Sequence, residues 1–142
     1  MAQNLAKLLT KAGTTTFAEA SKAPVLAYYF SAHWCPPCKK FTPLLAENYT
    51  KWNAAGKQIE IVFCSFDKNE TEFKQYFSTM PWTALPYGDP KIQELAQKFE
   101  VQGIPNLCFV SKDGKDELLS SNGYEDLMFT REKAIDTWKK LY

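Results

Sequence analysis

The 142-residue chain has one histidine, His33, and four cysteines. Structural zinc ordinarily takes four Cys or His ligands. No second C-x-x-C accompanies Cys35-Pro-Pro-Cys38, and His33 lies too near that pair to complete a site with it easily. A half zinc site, or an iron–sulfur cluster shared between two chains, is thus the weaker reading of the cysteines, and no metal is expected. Long apolar runs are also missing. Nothing approaches the ~20 residues of a spanning helix. The N-terminus lacks an apolar signal core, and the C-terminus lacks a retrieval or lipidation motif. No membrane association is expected, and the location implied is cytoplasmic. Net charge is only +1, which gives no reason to invoke nucleic acid. The six glycines form no dinucleotide fingerprint, so no bound cofactor is expected. Repeats, linkers and low-complexity segments are absent. With 45% hydrophobic and 23% charged residues, residues 1–142 read as one ordinary globular domain, monomeric and long enough to bury a core.

What is present is organised around Trp34-Cys35-Pro36-Pro37-Cys38. An apolar run, Val25 to Phe30, leads into it. A helical pattern leaves it, with Phe41, Leu44, Leu45, Tyr49 and Trp52 on one face. Two thiols therefore stand at a helix N-terminus, where unpaired N–H groups and the helix dipole favour a thiolate. With Cys35 as N-cap, Pro36 takes the first helical position, where a missing N–H costs nothing. Pro37 has no N–H to offer, so the Cys38 N–H is the donor left for the Cys35 sulfur. Cys35 is expected to be the exposed attacking thiolate and Cys38 the more buried resolving thiol, near enough to close a small disulfide ring. In a reducing compartment such a pair reads as redox chemistry.

Along the chain, residues 4–12 suggest a short amphipathic helix stopped by Gly13, and residues 14–17 an edge strand. Strands are expected at about 25–30 and 59–66, the first covered on both faces, joined in parallel by a right-handed crossover. The intervening helix should run to about Ala54, end at Gly56 and kink at Pro43. Asn69-x-x-Glu72 reads as a capping box opening a helix with Phe73, Tyr76 and Phe77. Residues 80–86 form a loop with two prolines, and Asp89-Pro90 caps a helix bearing Ile92, Leu95, Ala96 and Phe99. A strand at 107–110, an Asp113-Gly114 turn and a returning strand at 117–120 make a hairpin. A last helix covers about 130–141, with Ala134, Ile135, Trp138 and Leu141 inward. The fold class is α/β: a central mixed sheet with helices on both faces.

Trp34-Cys-Pro-Pro-Cys38, Pro43 in the next helix, and Gly103-Ile104-Pro105 before a hairpin together resemble the thioredoxin superfamily. The Pro-Pro pair, residues 62–67 (VFCSFD) and Met80-Pro81-Trp82 are similar to its tryparedoxin and nucleoredoxin branch. The resemblance covers roughly residues 25–120 and implies a three-layer thioredoxin-like sandwich. It makes Cys35 the nucleophile and Cys38 the resolver. It implies a cis Ile104-Pro105 bond facing them, with the Ile104 backbone pairing to an extended client strand. It places Trp34 as an apolar lip and Asp67 and Trp82 near the same rim. Pro36, Pro37, Pro105 and Trp82 join Trp34 and Ile104 as the expected client-contact surface. Thioredoxin's buried aspartate, six residues before the first cysteine, is replaced here by Tyr29. The proton acceptor for Cys38 is then open among Asp67, Glu72 and water. Tryparedoxins also carry an arginine past the hairpin that helps hold trypanothione. Asn122, Gly123 and Tyr124 stand around that position, with no arginine until Arg131.

Other residues have competing readings. His33 either tunes the thiolate or is an exposed turn residue. Asp67 is either a proton shuttle or a residue satisfying backbone donors at a helix start. Cys64 and Cys108 read as small buried hydrophobes. Trp52 and Trp138 read as core, and Lys39 and Lys40 as solvated surface. The expected function is dithiol–disulfide exchange that reduces protein disulfides, with peroxiredoxin- or glutathione-peroxidase-type clients implied by the resemblance. A low-molecular-weight thiol or a reductase would supply the electrons. The competing class is a nucleoredoxin-like module that binds partners in a redox-dependent way with little turnover.

Overall fold

A computed structural model describes residues 7–142. Seven strands form one sheet in the order β2-β1-β5-β4-β3-β6-β7. In chain order the elements are β1 (Lys7–Thr10), β2 (Gly13–Thr16), α1 (Phe17–Ala20), β3 (Val25–Ser31), α2 (Pro36–Trp52), β4 (Ile59–Ser65) and α3 (Glu70–Phe77). Then come β5 (Thr83–Ala84), α4 (Pro90–Lys98), β6 (Asn106–Val110), β7 (Leu118–Ser120), α5 (Gly123–Thr130), a 3₁₀ turn (Arg131–Lys133) and α6 (Ala134–Lys139).

β3 is buried along its whole length and runs parallel to β4, with Val25 opposite Ile59 and Ser31 opposite Ser65. Its other edge pairs antiparallel with β6, from Ala27 opposite Phe109 to Phe30 opposite Asn106. Alternation along β3 divides the interior into two layers. Val25, Ala27 and Tyr29 face Phe41, Leu45 and Tyr49 of α2, the aromatics of α3, and Trp138. Leu26, Tyr28 and Phe30 face Phe17, Leu95 and Phe99 on the opposite side. The continuous apolar run of β3 is thus that of a strand with both faces covered, as read from the sequence.

Several expectations are corrected. The helix placed at residues 4–12 is a β-hairpin where the structure describes it, residues 4–6 lying outside the described residues. Leu8 and Leu9 point to opposite sides of the sheet and pack into different layers. In so short an apolar run the helical and alternating patterns cannot be told apart. Residues 80–86 are not all loop, because Thr83–Ala84 bridges the N-terminal hairpin to β4. The helix expected at about 130–141 is a 3₁₀ turn followed by the shorter α6, and a helix the sequence reading did not place, α5, precedes it from Gly123 and ends at a break at Arg131 (φ 55°). Ala134, Ile135 and Trp138 do face the core. The helix expected to end near Ala54 stops at Trp52, with Asn53 as its C-cap.

Candidate redox site

The site forms where β3 ends beside the start of β6. Cys35 is the N-cap of α2 in an extended conformation (φ −95°, ψ 112°), with prolines at the first two helical positions. The Cys38 N–H donates to Cys35 Sγ at 3.4 Å, the donor the two prolines left available. Cys35 Sγ also lies 3.8 Å from the Ile104 carbonyl, to which its S–H donates. The Ile104-Pro105 bond is cis. Both thiols are free, and Ala32, Phe66 and Ile104 pack around them in a small apolar cluster.

Cys38 is the deeper of the two, at 0% exposure against 5% for Cys35. Cys35 is therefore less open than the expected exposed thiolate. Burial raises the Cys38 thiol to about 11, the neighbouring Cys35 adds to the rise, and a hydrogen bond from Ser31 opposes it. Burial also pushes the Cys64 thiol well up and raises Cys108 to about 12. Both are sealed in the second core layer and carry no surface reactivity.

Trp34 stands at the rim, 48% exposed. Its indole N–H donates to the Phe66 carbonyl at 2.9 Å, and the Lys68 ammonium lies 5.9 Å from its ring. Pro36 and Pro37 are exposed beside it. Asp67 is buried, with Oδ1 accepting from the His33 N–H at 2.6 Å and Oδ2 from the Ser65 hydroxyl at 2.6 Å. The His33 bond satisfies one backbone donor, but the donors at the start of α3 are served by Asn69, not by Asp67. His33 is half-buried, with its ring 5.4 Å from that of Tyr76. Asn69 caps α3 through the Glu72 N–H, but Glu72 Oε1 is buried with no hydrogen-bond partner among the described residues. The reciprocal half of the capping box is therefore not seen at that oxygen.

Trp82 is not at the rim. It is 2% exposed and lies edge-on to Tyr29 and Tyr49, 5.8 and 5.6 Å between ring centroids. It packs in the core layer shared with α2, so a client cannot reach it. Arg131, distant in sequence, lines a cavity of about 390 Å³ with Pro36, Pro37, Lys40, Tyr124 and Met128. A second cavity, of about 430 Å³, is lined by Trp34, Asp67, Tyr87 and Gln93.

A buried set of hydroxyls escaped the sequence reading. Tyr29 Oη bonds Thr42 Oγ1 at 2.6 Å, Thr42 bonds Tyr76 Oη at 2.6 Å, and Tyr76 bonds Ser31 Oγ at 2.7 Å. Periodicity carried a signal for it. Tyr29 and Ser31 alternate onto one face of β3, and Thr42 lies one helical turn after Cys38.

A family profile described as Thioredoxin-like matches residues 24–115. The chain belongs to the thioredoxin-like family. It is 38% identical over 133 residues to probable nucleoredoxin 1 of Arabidopsis thaliana, covering 89% of this chain but 23% of that protein. The chain thus spans under a third of the length of that relative. Among solved structures, tryparedoxin from Trypanosoma brucei superposes with a TM-score of 0.85 at 34% identity, covering 95% of this chain and 92% of that one. A tryparedoxin II complexed with glutathionylspermidine superposes with a TM-score of 0.80 at 32% identity, covering 89% of this chain and 88% of that one. The family and its fold are those expected from the motif, and thiol–disulfide oxidoreduction is the chemistry this membership supports.

Proposed function

We propose that the chain reduces protein disulfides through the Cys35–Cys38 couple, with peroxidase-type clients. The observation that carries this is the Cys35 sulfur at the mouth of α2, bonded by the Cys38 N–H and facing the Ile104 carbonyl. A client strand laid beside Ile104 brings its disulfide to that sulfur. Trp34, Pro36, Pro37, Ile104 and Pro105 form the surface against which it rests. Cys35 thiolate attacks the client disulfide and forms a mixed disulfide; Cys38 then displaces the reduced client and leaves the intramolecular disulfide. A low-molecular-weight thiol or a reductase returns the pair to the dithiol. Arg131 and Lys40 in the cavity beside Pro36 support a carboxylate-bearing thiol in that role. A cytoplasmic location fits this reducing cycle.

A second reading is a nucleoredoxin-like module that holds partners in a redox-dependent way. The resemblance to a nucleoredoxin and the apolar residues exposed beside the site, Trp34 and Met128, favour it. Insulin reduction with dithiothreitol as donor separates the two. Sustained catalytic turnover supports the reductase; stoichiometric capture without turnover supports the module. In the reductase, Cys35→Ser abolishes turnover and Cys38→Ser accumulates client mixed disulfides. Full turnover by Cys38→Ser would remove its resolving role.

A further inference from the structure

The cavity beside Pro36 combines an apolar floor with charge of one sign. The start of α2 supplies one wall, and α5 with the residue after it supplies the other. Phe41, Leu44, Tyr124 and Met128 are its apolar or aromatic members, and Lys40 and Arg131 are its charged ones. No described acidic residue lines it. Neither cation has a carboxylate within ion-pair distance among the described residues. The Arg131 guanidinium has one side-chain partner among them, Met128 Sδ at 3.9 Å. A thioether is a weak acceptor, so nearly all the guanidinium donors are left to solvent or to a ligand. The floor itself is firm: Phe41 is buried, with its ring 4.9 Å from that of Tyr124.

The cavity is tied to the reacting sulfur by sequence. Pro36, on its wall, directly follows Cys35. Whatever fills it therefore lies within a few residues of the disulfide that Cys35 attacks. At about 390 Å³, with cations beside an apolar floor, it fits an apolar side chain next to a carboxylate. A small polar thiol would satisfy the cations but leave Phe41, Leu44 and Met128 without an apolar partner. Phe129, the residue after Met128, is 84% exposed and leaves further apolar surface open at this end of α5. Cover on that scale suits a protein client better than a small molecule.

We infer that this cavity is a specificity subsite for the client: it receives an apolar side chain next to an acidic residue, close in sequence to the client's reactive cysteine, and Arg131 and Lys40 hold the carboxylate. This rests on the proposed reductase reading and names the client sequence that it favours. The two cations determine where the client sits and leave the thiol exchange to Cys35 and Cys38.

The test uses short peptides, each closed by one disulfide, that carry Leu-Glu, Leu-Lys or Ser-Glu beside one cysteine. Dithiothreitol, which has no carboxylate, is the donor, and oxidised glutathione is run alongside as a small substrate. The wild-type protein is expected to favour Leu-Glu over Leu-Lys about tenfold in kcat/KM, since one exposed ion pair gives up to about fivefold and two cations act together. It should favour Leu-Glu over Ser-Glu about fivefold, through partial burial of the leucine. Raising the salt should shrink the first preference and not the second. Arg131→Gln with Lys40→Gln is expected to bring the Leu-Glu and Leu-Lys peptides within about twofold, mainly through KM. Arg131→Glu with Lys40→Glu should reverse their order, which a merely structural role would not do. Both residues are exposed, and thermal melts check the fold of each variant. The peptide series on unaltered protein tests the assignment independently of any variant. Wild-type protein indifferent to the peptide's charge, or a folded double glutamine variant that keeps the full preference, would overturn the subsite. A loss confined to oxidised glutathione would also overturn it, by giving the cavity to the small thiol. Wild-type protein that reduces none of the peptides would overturn both the subsite and the reductase reading.

Discussion

Replacing Gly123 by alanine tests how tightly α5 is seated on the sheet. A Cβ there would lie 2.6 Å from the Leu107 Cβ, 2.7 Å from its Cγ and 2.7 Å from its carbonyl oxygen. Ordinary contact begins at 3.4 Å, so the shortfall against that oxygen is 3.4 − 2.7 = 0.7 Å. A side chain could rotate away; this carbonyl is held in the backbone of β6, where Leu107 is paired with Tyr29 of the central strand β3. The helix must lift instead. Overpacking of this kind costs about 1–3 kcal/mol. The better helix propensity of alanine returns at most about 1 kcal/mol, and less at a first helical position. The expected net loss is about 2 kcal/mol. Urea denaturation followed by tryptophan fluorescence measures it, with matched slopes required for a valid comparison. Gly103→Ala is the control. A Cβ added there would meet nothing within 4 Å, and the backbone φ is unexceptional, so the change should be neutral or stabilising by about 0.4–1 kcal/mol. Gly123→Ala protein as stable as wild type, within about 0.5 kcal/mol, would show that the α5–β6 approach is looser than described.

Other consequences can be measured in the same way. Asp116 is buried at φ 54°, accepts from the Tyr28 hydroxyl at 2.9 Å and pairs with Lys91 at 3.1 Å. Asp116→Ala should cost about 3 kcal/mol in urea denaturation, by orphaning a buried hydroxyl and putting alanine in a left-handed conformation; a loss below about 1 kcal/mol would refute this. Cys38 and Cys108 are acids whose folded pKa is raised, to about 11 and about 12. The folded state therefore holds protons that the unfolded chain releases, and stability is fully present below the ordinary thiol range and falls as pH rises through it toward those values. The slope approaches about 1.4 kcal/mol per pH unit for each such thiol, and Cys108→Ala should flatten it between pH ~9 and ~11 in denaturation series. Trp82→Phe should lower stability yet leave kcat/KM for insulin reduction within about twofold, whereas Trp34→Ala should lower kcat/KM with little change in stability; the reverse pattern would return Trp82 to the client surface.

How much of this was legible beforehand depended on the range over which each signal acts. The start of α2 was readable because its logic is local. Two prolines remove two donors, and the Cys38 N–H is the one left for the sulfur. β3 and β4 were readable because a strand covered on both faces has a continuous apolar run. Trp82 was misplaced because its sequence neighbours resemble those of a rim residue, while its burial comes from Tyr29 and Tyr49, distant in sequence. Of the N-terminal hairpin, the edge strand at 14–17 was readable as β2, but β1 was taken for helix because its other neighbour is the two-residue β5, too short to signal itself. α5 was missed because its seat is the glycine that admits Leu107, and a lone glycine reads as a turn. Arg131 lies past the position where the resemblance places an arginine, yet in the structure it lines the cavity beside Pro36.

The antiparallel pairing of β3 with β6 has a consequence for motion. Because the two strands run in opposite senses, the point where the chain leaves β3 toward Cys35 is the point where it enters β6 from Pro105. Sulfur and facing loop are thus two ends of one ladder, and they cannot separate without unzipping the centre of the sheet. Amide exchange at Tyr29 and Leu107 should then occur only through global opening, so that the slowest-exchanging backbone in the molecule lies directly beneath the Cys35 sulfur.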